Sequence, residues 1–124
     1  MDALSNDIRI GTLVPAGKAT RTIKNIVGHG FESFQLTWWR NNKEGIDLPK
    51  LAAQLKEDLA DSGAIIDSLA VFGNPLGDTQ EDELTRQTWR ELIDNAHHFG
   101  ATVIAGFAGR VIDKPIPESM PRYR

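Results

Sequence analysis

The stretch that decides the fold runs from Gly63 to Phe72 and reads GAIIDSLAVF. It is an apolar run of strand length, and a loop-forming glycine, asparagine and proline follow it. Before it, Asp47 can cap a helix and Pro49 suits that helix's first turn. The leucines of this helix share one face: Leu48, Leu51, Leu55 and Leu59. After it, Thr79 with Asp82 resembles a capping box that begins a second helix. The pattern predicts a strand from Ile65 to Phe72 that is buried on both faces and lies between two amphipathic helices.

The same unit repeats along the chain. Helical spacing of apolar residues predicts a helix near 19–27, and three further apolar runs predict strands at 8–14, 34–39 and 101–107. Gly30, Gly63 and Gly100 each end a helix just before a strand, and they recur at intervals of 33 and 37 residues. Strands that alternate with helices imply a parallel sheet with right-handed crossovers. The predicted class is α/β, with four strands and three helices.

The last part of the chain departs from this pattern. Asp113 to Arg124 holds Pro115, Pro117 and Pro121 and shows no helical face, although a fourth helix is due there. We therefore expect residues 108–124 to form a loop-like tail. Residues 1–124 then make a single partial domain.

Two architectures fit four strands and three helices. One is a small doubly wound open sheet of flavodoxin-like shape, with its ligand beyond the carboxyl ends of the strands. The other is the first half of a (β/α)8 TIM barrel, which needs roughly 250 residues when complete. The proline-rich tail favours the half-barrel, because the open sheet would finish with a helix and this chain stops within a βα loop.

Composition narrows the class of partner. The chain has 14 Lys and Arg against 17 Asp and Glu, a formal net charge of -3, so it offers no basic field for nucleic acid. It has no cysteine, which excludes disulfides, a thiolate metal site and a cysteine nucleophile. Met1 to Asn6 is too polar for a signal peptide, and no apolar run reaches membrane-spanning length. We expect a cytoplasmic protein without nucleic-acid or membrane partners.

Three segments carry a resemblance to a known family. They are Gly30 to Leu36 (GFESFQL), Phe72 to Leu76 (FGNPL) and Gly106 to Arg110 (GFAGR), the last followed by KPI at 114–116 and SMPR at 119–122. In this order they resemble the second strand, the third-strand loop and the fourth-strand loop of the sugar phosphate isomerase/epimerase family. That family has a xylose isomerase-like TIM barrel. The resemblance implies that the chain is the N-terminal half of such a barrel, strands one to four.

The resemblance also implies a chemistry. In the family, carboxylates and a His or Gln at the ends of the later strands hold a divalent metal (Mn, Mg, Co or Zn), and two of the carboxylates move protons through an enediolate. It implies a metal-dependent sugar or sugar-phosphate isomerase or epimerase whose catalytic half is absent here. We therefore expect no metal, no catalytic residue and no activity in this chain alone. Relatives often carry a histidine after Asn-Pro-Leu, where this chain has Gly77.

Five residues are candidates for the wall of the substrate pocket. Trp38 and Trp39 end the second strand, and because successive strand residues point to opposite faces, at most one can face the pocket while the other packs under a helix. Asn74 can donate to a sugar hydroxyl or simply form the turn before the following proline. Phe107 and Arg110 follow the fourth strand, where Arg110 can bind a phosphate or carboxylate or lie solvated on the surface.

The other polar residues are weaker candidates. His29, His97 and His98 lie beside helix ends, and adjacent helix positions cannot bind one metal as an i, i+4 pair can. Asp67 lies inside an apolar strand, where an unpaired carboxylate is costly, so we expect a hydrogen-bonding partner for it near the start of the strand.

Two other functions stay open. An open half-barrel exposes two strand edges and an apolar interior, which favours either a homodimer that binds a small ligand without catalysis or pairing with a missing C-terminal half-barrel. An abasic-site endonuclease shares the barrel and binds zinc through histidines at the ends of early strands. This chain has no histidine at 72–78 and is acidic, so that alternative ranks lower.

Overall fold

A computed structural model describes residues 8–123. Within them lie four strands and four α-helices in alternation: β1 (Gly11–Pro15), α1 (Ala19–Ile26), β2 (Ser33–Trp39), α2 (Leu48–Leu59), β3 (Ile65–Phe72), α3 (Gln80–Asn95), β4 (Val103–Gly106) and α4 (Ile116–Tyr123). The predicted α/β class is confirmed. The prediction about Met1 to Asn6 lies outside the described residues. No helix among residues 8–123 is long and apolar enough to cross a membrane.

The predicted helix ends are confirmed. The carboxylate of Asp47 accepts a hydrogen bond from the backbone N–H of Lys50 at 3.0 Å, and Thr79 and Asp82 form the reciprocal capping box. The glycines before β2, β3 and β4 all have the left-handed conformation that only glycine adopts without strain: Gly30, Gly63 and Gly100 have φ of 94°, 72° and 72°.

The four strands are parallel and lie in the order β1-β2-β3-β4. Sequential order with crossovers of one hand places every connecting helix on the same side of the sheet. A doubly wound sheet would instead reverse its order at a switch point. No such reversal occurs within residues 8–123, so the flavodoxin-like arrangement is wrong.

One face of the sheet is closed by helices and the other is open. Alternate strand residues join a single buried core with residues of α1, α2 and α3, and these strand residues define the helix face: Val14, Phe34, Leu36, Trp38, Ile66, Leu69, Val71 and Ile104. The intervening residues define the open face, on which Leu13 is 58% and Val103 53% exposed. The prediction that β3 is buried on both faces holds for its second half, whereas Ile65 and Asp67 near its start are exposed.

The predicted loop-like tail and helix count of three are wrong, because residues 116–123 form α4. Pro117 is tolerated in the first turn, where backbone N–H groups have no helical partner in any case. Pro121 removes one helical hydrogen bond, but tertiary contacts hold the helix. The hydroxyl of Ser119 accepts from the N–H of Val111 at 2.8 Å, and Arg122 pairs with Asp78 at 2.8 Å.

Candidate functional site

Three aromatic residues stand side by side at the carboxyl ends of β2, β3 and β4. Trp39 and Phe72 are register partners, and Phe107 follows the residue paired with Val71, so it comes level with Phe72. The rings of Phe72 and Phe107 lie 5.2 Å apart with a tilt of 40°. Trp39 is 72% and Phe107 56% exposed. We call these three residues the aromatic row; it forms an apolar platform at the end of the open face.

The two tryptophans occupy opposite faces, as the strand alternation predicts. Trp38 is 3% exposed in the core beneath the helices, and its indole N–H donates to the side-chain oxygen of Asn42 at 3.3 Å. Trp39 therefore is the member of the pair that a ligand on the open face can reach.

The size of the side chains changes sharply below the aromatic row. The next level of the open face carries small side chains, namely Thr37, Ala70 and Ala105, which are register partners. The side chains therefore become shorter just below the aromatic rings, and Ala70 in the middle of this level is fully buried.

A chain of hydrogen bonds crosses the open face nearer its amino end. Gln35 donates through its side-chain amide to the hydroxyl of Ser68 at 2.9 Å, and that hydroxyl donates to the carboxylate of Asp67 at 2.7 Å. Asp67 itself is exposed. The predicted hydrogen-bonding partner of Asp67 is thus present, and the carboxylate is not a buried unpaired acid.

Asn74 joins the loops that follow β3 and β4. Its amide donates to the carbonyl of Arg110 at 2.9 Å, and its oxygen accepts from the backbone N–H groups of Arg110 at 2.9 Å and Leu76 at 3.2 Å. Gly109 permits this approach, because its φ is +85° and a Cβ there would strike the oxygen of Asn74. Of the two roles predicted for Asn74, the structure places it in the turn, with most of its side-chain hydrogen-bonding capacity already used.

The side chain of Arg110 lies exposed beside this clamp. Within the described residues it makes one hydrogen bond, from Nη2 to the carbonyl of Lys114 at 2.9 Å. Asn74 binds only the backbone of Arg110, so the hydrogen bonds of the clamp do not involve the guanidinium. It can turn toward an anion at the end of the open face.

The turn after Trp39 uses residues that sequence patterns did not single out. Arg40 has a left-handed φ of 70°, which is uncommon outside glycine. Its carbonyl accepts from the buried hydroxyl of Thr85 at 2.6 Å, and its guanidinium pairs with Glu81 at 2.8 Å. Gly73 leaves space for Thr85, since a Cβ at that position would strike the hydroxyl. Helix α3 thus fixes the direction in which the chain leaves the aromatic row.

One ion pair fixes α4 against the loop before α3. A hydrogen bond from Arg122 and its positive charge hold the pKa of Asp78 below its ordinary value, while Asp78 raises the pKa of Arg122. Both groups are exposed, so salt screens this attraction.

The described residues do not bring together a metal site. The rings of His97 and His98 lie 4.0 Å apart at the end of α3. Nowhere in residues 8–123 do three His, Cys, Asp or Glu side chains come close enough to hold an ion. Gly77 faces the carboxylate of Asp82 that caps α3, and any side chain there would collide with it. The capping box and a histidine at that position are therefore sterically incompatible in this conformation.

Comparison with known proteins adds no family to these observations. No protein-family model matches the sequence, and no curated protein matches it either. The resemblance to sugar phosphate isomerases and epimerases therefore rests on the three quoted segments alone.

Proposed function

We propose that this chain forms one half of a sugar or sugar-phosphate binding barrel of the isomerase/epimerase type. The observation that carries the proposal is the aromatic row, which presents Trp39 and Phe107 exposed at the carboxyl ends of β2 and β4, with Phe72 of β3 between them. In barrels built from parallel strands, this end is where ligands bind. The apolar face of a sugar ring can pack on such a platform while its hydroxyl groups stay free for polar partners.

The loops around the aromatic row suit a phosphorylated ligand. Arg110 is exposed there, and a guanidinium can bind two phosphate oxygens at once. Two of the three segments that resemble the family, Phe72 to Leu76 and Gly106 to Arg110, meet at this same end through the Asn74 clamp. The half-barrel thus contributes binding and orientation of the ligand.

The divalent metal of the family does not fit the described residues, because no cluster of three acidic or histidine side chains is present among them. We therefore assign no proton-transfer step to this chain. In this proposal, the chain binds and orients the ligand, and its described residues supply neither the metal site nor the proton-transfer carboxylates.

The test is a titration with fructose and with fructose 6-phosphate. Binding is monitored by the NMR signals of the indole N–H of Trp39 and of the ring of Phe107. We expect millimolar binding that Trp39→Ala weakens at least fivefold. Ile93→Ala is the matched control, because Ile93 is 58% exposed on α3, away from the open face, and should leave binding unchanged. Loss of binding in both variants, or in neither, would contradict a role for the aromatic row.

A separate variant tests the proposed contact between Arg110 and a phosphate group. Arg110→Gln keeps the backbone groups that Asn74 binds. It should therefore weaken binding of fructose 6-phosphate severalfold and leave binding of fructose unchanged. Equal effects on the two ligands would exclude a phosphate contact. We also expect no isomerisation of either ligand by the chain with Mn²⁺, and turnover by the pure protein would show that it carries its own catalytic groups.

A further inference from the structure

Both edges of the sheet and its open face lack a partner within the described residues. β1 and β4 pair on one side only, and their other sides present unpaired backbone groups. The open face adds exposed apolar side chains: Leu13, Trp39, Val103 and Phe107. Such a combination is a template for association, because an unpaired parallel strand and an apolar sheet face are each unstable in water.

We propose that a second copy of this chain closes the open face, so that β4 of each copy pairs with β1 of the other. A two-fold axis along the strand direction keeps all strands parallel and generates both seams at once. Four strands from each copy give eight. Eight is the number at which side chains just fill the interior of a closed barrel.

Symmetry makes this assembly finite. The two seams are equivalent, and after both form no strand edge remains free to recruit a third copy. A single seam between β4 and β1 would instead leave an edge at each end and grow into a filament. The sequential strand order allows closure, because β1 and β4 are the outermost strands of the sheet.

The open face carries little charge. Two copies of a chain with a net charge of -3 repel each other at long range, so the surface through which they meet has to be largely uncharged. The open-face positions that would meet are uncharged along the middle of the strands: Leu13, Gln35, Thr37, Ser68, Ala70, Val103 and Ala105. The exception is Asp67 near the amino end, which borders a small cleft together with Arg9. Two copies therefore meet through neutral surfaces while their charges stay outside.

Closure would change the ligand site. The two aromatic rows would lie at the same end of one barrel and face each other across its mouth, so each copy would contribute half of the enclosing wall. The site is open on one side without the partner. This inference does not depend on which ligand binds there.

The experiment is sedimentation velocity of the 124-residue protein over a range of concentrations, with amide hydrogen exchange on the same samples. We expect twice the chain mass of 13.7 kDa and concentration-dependent protection of amides in β1 and β4. Leu13→Lys should shift the dissociation constant at least tenfold toward monomer, because it places a charge inside the closed barrel. Ile93→Lys should have no effect, since Leu13 and Ile93 are both 58% exposed but only Leu13 lies on the open face.

Several results would overturn the proposal. A monomer at 200 µM would mean that another chain, not a second copy, covers the open face. A dimer that Leu13→Lys leaves intact would place the interface elsewhere, and open-ended oligomers would exclude the two-seam closure. Because Leu13 is exposed in the single chain, the variant should keep its far-UV circular dichroism, which separates lost association from misfolding.

Discussion

Leu13 and Val14 are neighbours on β1, yet 58% of Leu13 is exposed and none of Val14 is. The outer strand β4 shows a similar contrast, since Val103 is 53% exposed while Ile104 packs against the core, whereas the small open-face residues Ser68 and Ala70 of β3 are buried. The helix face is packed under three helices, and the open face has no covering layer within the described residues. Both faces are nevertheless rich in apolar side chains. A strand whose two faces are apolar is typical of a sheet that is buried on both sides in its working state. The helix face therefore makes the fold of the single chain, and the apolar residues of the open face are what our proposal of a second layer rests on.

The largest expected effect is a difference in the free energy of unfolding between a substitution on the helix face and one on the open face. Leu69→Ala on the helix face should lower the free energy of unfolding by about 2–5 kcal/mol, because it removes a buried side chain and leaves a cavity. Leu13→Ala should change it by only about 0.5 kcal/mol, since Leu13 is already exposed in the single chain. Urea unfolding at the lowest workable concentration measures both, because association contributes least there. Equal losses would mean that the open face is covered even in the monomer.

A smaller effect concerns the loops that hold the end of the open face. Gly109→Ala should cost about 1–3 kcal/mol, because alanine disfavours the φ of +85° and its methyl group displaces Asn74. Gly28→Ala is the matched control, as a Cβ there meets nothing within 4 Å. It should be neutral or slightly stabilising in thermal unfolding. If the two variants behave alike, Asn74 does not hold the two loops together.

The smallest effect is the pH dependence of α4. Because Arg122 lowers the pKa of Asp78 in the folded chain, the pair stabilises the folded state above the ordinary aspartate pKa, about 3.9. This contribution is lost as pH falls through the lower pKa of the folded state. The protection factors of amides in α4, which correct for the intrinsic exchange rate at each pH, should therefore fall in acid more than those of amides in α2. Asp78→Asn should remove the pH dependence of that difference, and its persistence would assign it to another group.

Local chemistry explains what could be predicted from the sequence. A glycine that ends a helix just before a strand depends only on its own backbone conformation and not on distant contacts. The sequence alone therefore predicts correctly that Gly30, Gly63 and Gly100 end helices. The alternation of Trp38 and Trp39 likewise depends only on strand geometry. The strands and the first three helices followed from such patterns.

What could not be predicted depends on distant partners. The left-handed turn at Arg40 is held by Thr85, 45 residues away, and no residue near Arg40 in the sequence predicts it. Helix α4 was missed because its prolines argue against a helix, while Ser119 and Arg122 hold it through contacts outside the segment. For the same reason, sequence spacing suggested two roles for Asn74 but could not indicate that the loop after β4 would occupy its amide.

The clamp formed by Asn74 also has a consequence for how the molecule ages. Asparagine deamidates when the backbone nitrogen of the next residue attacks the side-chain amide, and that nitrogen must carry a hydrogen. The next residue here is Pro75, which has none. The side chain of Asn74, which joins the loops after β3 and β4, is thus protected from the most common chemical damage to asparagine. Asn41, which precedes another asparagine, lacks this protection.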